Sequence, residues 1–136
     1  MNPASKDIAQ YLAGESSLGL VLGTSLFYAR MPDSPDDCVT VMDNPGDAPM
    51  LTYDKATSNY YYSSVSVRVR NTDYAAGWAV IFAILTFLHG LGQQNSVDAS
   101  SYYGVVKAMN DPQVLYWDNN DRVTFFINFE IQRKPN

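Results

Sequence analysis

One stretch limits what this chain can fold into more than any other: Asp73 to Gly90, DYAAGWAVIFAILTFLHG. It is the only long helix the sequence can make. Its single charge is Asp73 at the start, and its single ionisable ring is His89 near the end. Asn71, Thr72 and Asp73 supply side-chain oxygens where the first helical N–H groups need acceptors, and Gly90 suits a left-handed stop. On a helical wheel Ala75, Ala79, Ala83 and Thr86 form one narrow stripe. Tyr74, Trp78, Ile81, Leu85 and Leu88 fall on the broad opposite side. With no polar face, the helix is expected to be covered on nearly all sides, with Trp78, Phe82 and Leu85 almost fully buried. A sheet on one side and a neighbouring subunit or long loop on the other would do this.

A membrane span needs roughly 20 apolar residues and usually basic flanks. This run is shorter and lies between Asp73 and Gln93-Gln94-Asn95, which argues against a span. The N-terminus MNPASKDIAQYL is polar and mixed, so no secretory signal is expected. The 136 residues, 15.1 kDa, suit one domain covering 1–136. A net charge of −5 without a basic stripe argues against the usual nucleic-acid binder. Cys38 is the only cysteine and His89 the only histidine, which leaves no disulfide framework and no multi-histidine metal site. Aromatic residues make up 13% of the chain, ten of them Tyr, and Tyr-rich surfaces favour contacts with other proteins.

Along the chain, Ser5 can cap a short helix from Lys6 to Ala13 that Gly14 ends. TSLFYARM, Thr24 to Met31, has strand composition and stops at Pro32. Pro32 to Asp37 is a rigid acidic turn. Cys38 to Met42 alternates as a second strand. Asp43 to Asn59 is the longest irregular piece, with the apolar trio Met50, Leu51 and Tyr53 at its middle; it is either a hairpin loop or an arm that reaches a neighbouring molecule. YYYSSVSVRVR, Tyr60 to Arg70, sends Val65, Val67 and Val69 one way and Ser64, Ser66, Arg68 and Arg70 the other. After the helix come a polar loop (Leu91 to Ser101), a strand at Tyr102 to Met109, and a hairpin of Val114 to Trp117 with Arg122 to Arg133. The expected class is thus α+β: a mainly antiparallel sheet packed against one long apolar helix, in the order α-β-β-β-α-β-β-β.

No residue set points to catalysis or a cofactor. His89 near a helix C-terminus is favoured there by the dipole. Cys38 opens an alternating strand as a small apolar residue. Asp33, Asp36 and Asp37 lack the ligand spacing and glycine of a calcium loop. Arg68 and Arg70 can hold an anion or make ion pairs at home or across an interface. The glycines show no phosphate-binding spacing.

Three segments together carry a resemblance. MPDSPDDCVTVMD (Met31 to Asp43) places a Pro-Asp-x-Pro-Asp turn before a short alternating strand. SVSVRVRNTDYAAGWAVIFAILTFLHG runs a valine-alternating strand into Asp-Tyr-Ala and the long helix, closing on Leu-His-Gly. DNNDRVTFFINFEIQRK joins a tight polar turn to a long aromatic strand. In this order they resemble the tail-terminator and minor capsid family of long-tailed bacteriophages. Leu115-Tyr116-Trp117-Asp118 departs from that pattern, which has a Gly-containing turn there.

The resemblance implies a structural virion protein made in the host cytoplasm and placed at the tail top or neck. It would form a homo-oligomeric ring, usually of six copies, that halts tail-tube polymerisation and offers a docking surface to the head connector or completion protein. DNA would pass through without specific binding, and an acidic chain suits that by repelling phosphate. Candidate protein-contact residues are Met50, Leu51, Tyr53 and Lys55 in the long loop, Arg68 and Arg70 on the strand, Asp33, Asp36 and Asp37 in the acidic turn, and Trp117. Two other classes stay open: a different virion joint such as a tail-tube or head-completion protein, and a non-viral α+β domain with an aromatic ligand pocket.

Overall fold

The two strands with the cleanest alternation pair with each other and carry the molecule. In the computed structural model, which describes residues 1–49 and 60–136, β3 (Tyr61–Asn71) runs antiparallel to β7 (Val123–Pro135) along its whole length. Val65, Val67 and Val69 lie opposite Phe129, Ile127 and Phe125, and all six are buried. Around this pair the sheet runs β1 (Leu26–Tyr28), β2 (Cys38–Asp47), β3, β7, β5 (Ser101–Ala108) and β4 (Gln94–Asn95). A seventh strand, β6 (Gln113–Trp117), pairs with the first part of β7 on the edge that β5 uses further along. The sheet curls into a half-barrel. Among the described residues all strand pairs are antiparallel except β1 with β2.

Two short helices fill the hollow of this sheet. α1 (Ala4–Gly14) inserts Ile8, Ala9 and Leu12. Ser5 does not cap it: Pro3 holds the cap position, and Ser5 bonds Asp43 through its amide at 3.0 Å and its hydroxyl at 2.6 Å. A single 3₁₀ turn, Ser16–Leu18, leads on to β1. α2 spans Tyr74–Leu88, with Asp73 accepting from the Ala75 amide and Gly90 left-handed at φ 88° just beyond it.

These facts overturn the expected α+β class. The protein is mostly β-sheet, its order continues with four strands after α2 rather than three, and its core is not organised by one long helix. α2 is 15 residues long and buries only Gly77, Ile81, Ile84 and Leu88. Trp78 is 41% exposed, Phe82 53%, and Leu85 only partly buried, so the expected near-complete burial of all three is also corrected. The reason is supply: the Phe and Ile side chains of β7 already fill the hollow, so the helix needs only a narrow stripe. At Gly77 an added Cβ would sit 2.8 Å from the Phe125 ring, which shows how closely that stripe approaches. Among the described residues no helix is long and apolar enough to cross a membrane.

The expected loop at 43–59 is corrected in its first part. β2 continues through Asp47 with a bulge between Asn44 and Asp47, where Gly46 lies against the Tyr62 carbonyl and leaves no room for a Cβ. The expected strand Thr24 to Met31 shortens to β1, because a turn at Val21 to Leu26 holds its beginning.

Candidate functional site

The residues expected to carry contacts separate into three groups. Met50, Leu51, Tyr53 and Lys55 lie outside the described residues. Arg70, Asp33, Asp36 and Asp37 come together at one end of the sheet. The Nε and Nη2 groups of Arg70 donate to the carbonyls of Asp36 (3.0 Å) and Pro35 (2.6 Å). Asp37 accepts from the Thr72 amide at 2.9 Å, tying the acidic turn to the start of α2. Arg68, two residues before Arg70 on the same face of β3, is half-buried between Thr40 and Phe126.

The centre of that cluster is a residue the sequence reading did not single out. Arg122 is almost buried, with its guanidinium 3.1 Å from Asp33, 3.1 Å from Asp36 and 2.7 Å from Asp118. Those hydrogen bonds to Asp118 and Asp33 raise its already high pKa further, so it stays charged at any working pH. Asp118 also accepts from the amides of Asn120 and Arg122, which closes the β6–β7 turn. The acidic turn and this hairpin are thus bound to one guanidinium within a single chain. Only the spacing of two turns could have hinted at it, since the partners stand 86 and 89 residues away.

A second buried network fixes the other end. Asp7 is fully buried, accepts from the Tyr103 hydroxyl at 2.8 Å and faces Arg133 at 3.5 Å. Burial, and then the Asp7 carboxylate, push the Tyr103 phenol far above its ordinary pKa, so it remains a neutral donor.

The one histidine and the one cysteine both make contacts within the fold. The His89 Nδ1 atom accepts from the Ala108 amide at 3.0 Å, beside an open cleft lined by Leu85, Met109 and Asp111. Cys38 is buried, and burial raises its thiol pKa despite the nearby Arg70. Among the described residues no three His, Cys, Asp or Glu side chains gather in a way that could hold a metal ion.

What the surface does offer is an apolar flank. All five residues of β6 are exposed, four of them Val114, Leu115, Tyr116 and Trp117. The Trp117 ring, 54% exposed, stacks on Tyr74 of α2 with centroids 6.3 Å apart and planes within 10°. Tyr74 and Trp78 both rest on Phe125, at 5.1 and 6.0 Å. Phe82 continues the flank one turn along α2. Trp117, a candidate contact residue, thus lies exposed, and Trp78 and Phe82 stand beside it rather than in the core. An exposed apolar edge strand beside exposed helix aromatics is the kind of surface a soluble chain covers with another protein.

Residues 15–135 match a family model described as bacteriophage tail terminator protein. Among solved structures, a chain from the virion of a native gene transfer agent particle superposes with a TM-score of 0.65. It is 17% identical, and the match covers 97% of this chain and 95% of that one, a likeness that concerns the fold alone. No curated protein sequence matches the chain.

Proposed function

Because this chain belongs to the bacteriophage tail terminator family, a class of virion structural proteins, we propose that it forms a closed homo-oligomeric ring, of six copies, at the top of the tail or neck. The ring ends tail-tube polymerisation and offers its outer face to the head connector or completion protein. The observation that carries this reading is the uncovered apolar flank of β6 and α2, which a ring of identical chains would bury through head-to-tail contacts. Termination asks for unlike faces: one matches the tube, the other does not reproduce it, so stacking stops after one layer. The segment with Met50, Leu51, Tyr53 and Lys55 adds contacts to a neighbour, and the outward sides of Asp33, Asp36 and Asp37, with the half-buried Arg68, set register at the rim, while the buried Arg70 holds the acidic turn from within its own chain. With a net charge of −5 the chain repels phosphate, which suits DNA passing through without specific binding.

The test is a phage lacking this gene. Tails of uncontrolled length that fail to join heads are expected. Tails of normal length attached to heads would end the terminator reading and favour a head-completion role.

A further inference from the structure

The strand registers place two unlike apolar surfaces at the two ends of one row of residues. Leu26 pairs with Val39, Val39 with Val69, Val69 with Phe125, and Phe125 with Val114. This rung crosses the sheet from edge to edge at a single level. One end is the exposed β6 strand. The other is a groove along β1, lined by Leu22, Leu26, Phe27, Tyr28 and Pro32 with Arg30 at its rim.

The rims differ in charge. Arg30 is exposed and makes no ion pair among the described residues. β6 is flanked by the exposed carboxylates of Asp111 and Asp121, which likewise make none. The exposed Asp33 and Asp36 carboxylates next to Pro32 are taken up by Arg122, so the charges left without an ion pair are of opposite sign on the two surfaces. A self-matching contact would set Asp111 and Asp121 against their own copies, which like-charge repulsion opposes.

We propose that the β6 edge of one copy packs into the β1 groove of the next, so that the ring is closed by a head-to-tail contact with Tyr116 and Trp117 as anchors and Arg30 facing Asp111 and Asp121. This rests on the ring reading above and names the surfaces that make it. The contact is made by side chains rather than by extending the sheet. The outward amide of Leu26 already donates to the Val21 carbonyl, and the Leu26 carbonyl accepts from Gly23. Because the sheet is curled, its two edges point in different directions, and joining one to the other turns each copy relative to the last, as a head-to-tail contact in a closed ring requires.

Light scattering on the full chain and on exposed-site variants tests this. Leu115→Glu and Arg30→Asp should each raise the concentration needed for assembly by about tenfold or more. Combining Arg30→Asp with Asp111→Arg and Asp121→Arg should restore it. Oxidative cross-linking supplies a geometric check: Tyr28→Cys chains mixed with Leu115→Cys chains should form a covalent pair, while Leu115→Cys alone should not. A wild-type chain that stays single at every concentration overturns the ring reading. A wild-type ring unaffected by these variants overturns only this contact, including the case where tube-protein binding is what they abolish. Efficient linking of Leu115→Cys to itself also overturns it, since that needs a two-fold contact.

Discussion

Asp7 has no access to water and carries a formal charge, which is tolerable only if its neighbours replace the solvent. Tyr103 donates to one of its oxygens, Asn2 to the other at 3.2 Å, and Arg133 supplies the opposite charge. Arg133 in turn donates to the Asn2 carbonyl at 2.6 Å and the Ser63 hydroxyl at 3.1 Å, so α1, β3 and β7 meet in one network. Losing one hydrogen bond to a charged group costs less than stranding a buried guanidinium. Tyr103→Phe should therefore lower stability by about 1.5–3 kcal/mol, and Asp7→Ala by about 3–5 kcal/mol. The double variant should cost less than the sum of the two, because they share a partner. Urea denaturation midpoints measure all three, and an Asp7→Ala loss no larger than that of Tyr103→Phe would remove the Asp7–Arg133 pair from the account.

The helix α2 shows what apolar content does and does not settle about an element. Its buried positions, Gly77, Ile81, Ile84 and Leu88, recur at helical spacing and point at the sheet. Trp78 and Phe82 are larger and no less apolar, yet stand on the open flank. Ile81→Ala should cost about 2–5 kcal/mol in a fully enclosed site. Trp78→Ala opens no sealed cavity but gives up the covered part of a ring that is 41% exposed and one edge contact with Phe125, so about 1–3 kcal/mol is expected, with a larger effect on assembly. Thermal melts under dilute conditions decide it: equal losses would mean that Trp78 is core after all. Local rules made β3, β7 and the Asp73 cap of α2 legible, because alternation and capping depend on neighbours in sequence. They could not show which face of an all-apolar helix meets the sheet, since that depends on how much of the hollow β7 already fills. Pro45 and Gly46 read as loop but sit in a bulge of β2. At the candidate site, Trp117 and the acidic turn were legible as exposed and charged. Arg122 was not, because its role comes from contacts made across most of the chain.

At the scale of the whole molecule the chain reports on its own assembly. It has two tryptophans, Trp78 and Trp117, and both lie on the apolar flank formed by α2 and β6. Both are close to half exposed in a single chain, so dilute protein should emit as partly hydrated indole. If a second copy covers this flank, raising the concentration moves both rings out of water together. The emission maximum should then shift to the blue in step with the mass read by light scattering. The melting temperature should rise with it, because assembly binds only the folded chain and stabilises it by mass action. Tyr74, stacked on Trp117, makes the signal specific to this surface, since Tyr74→Ala should weaken assembly and reduce the blue shift without unfolding the sheet. The opposite pattern is equally readable. If mass grew to that of a ring while tryptophan emission stayed at its dilute value, copies would be meeting through some other face. The α2–β6 flank would then stay open for the tube protein or the head connector.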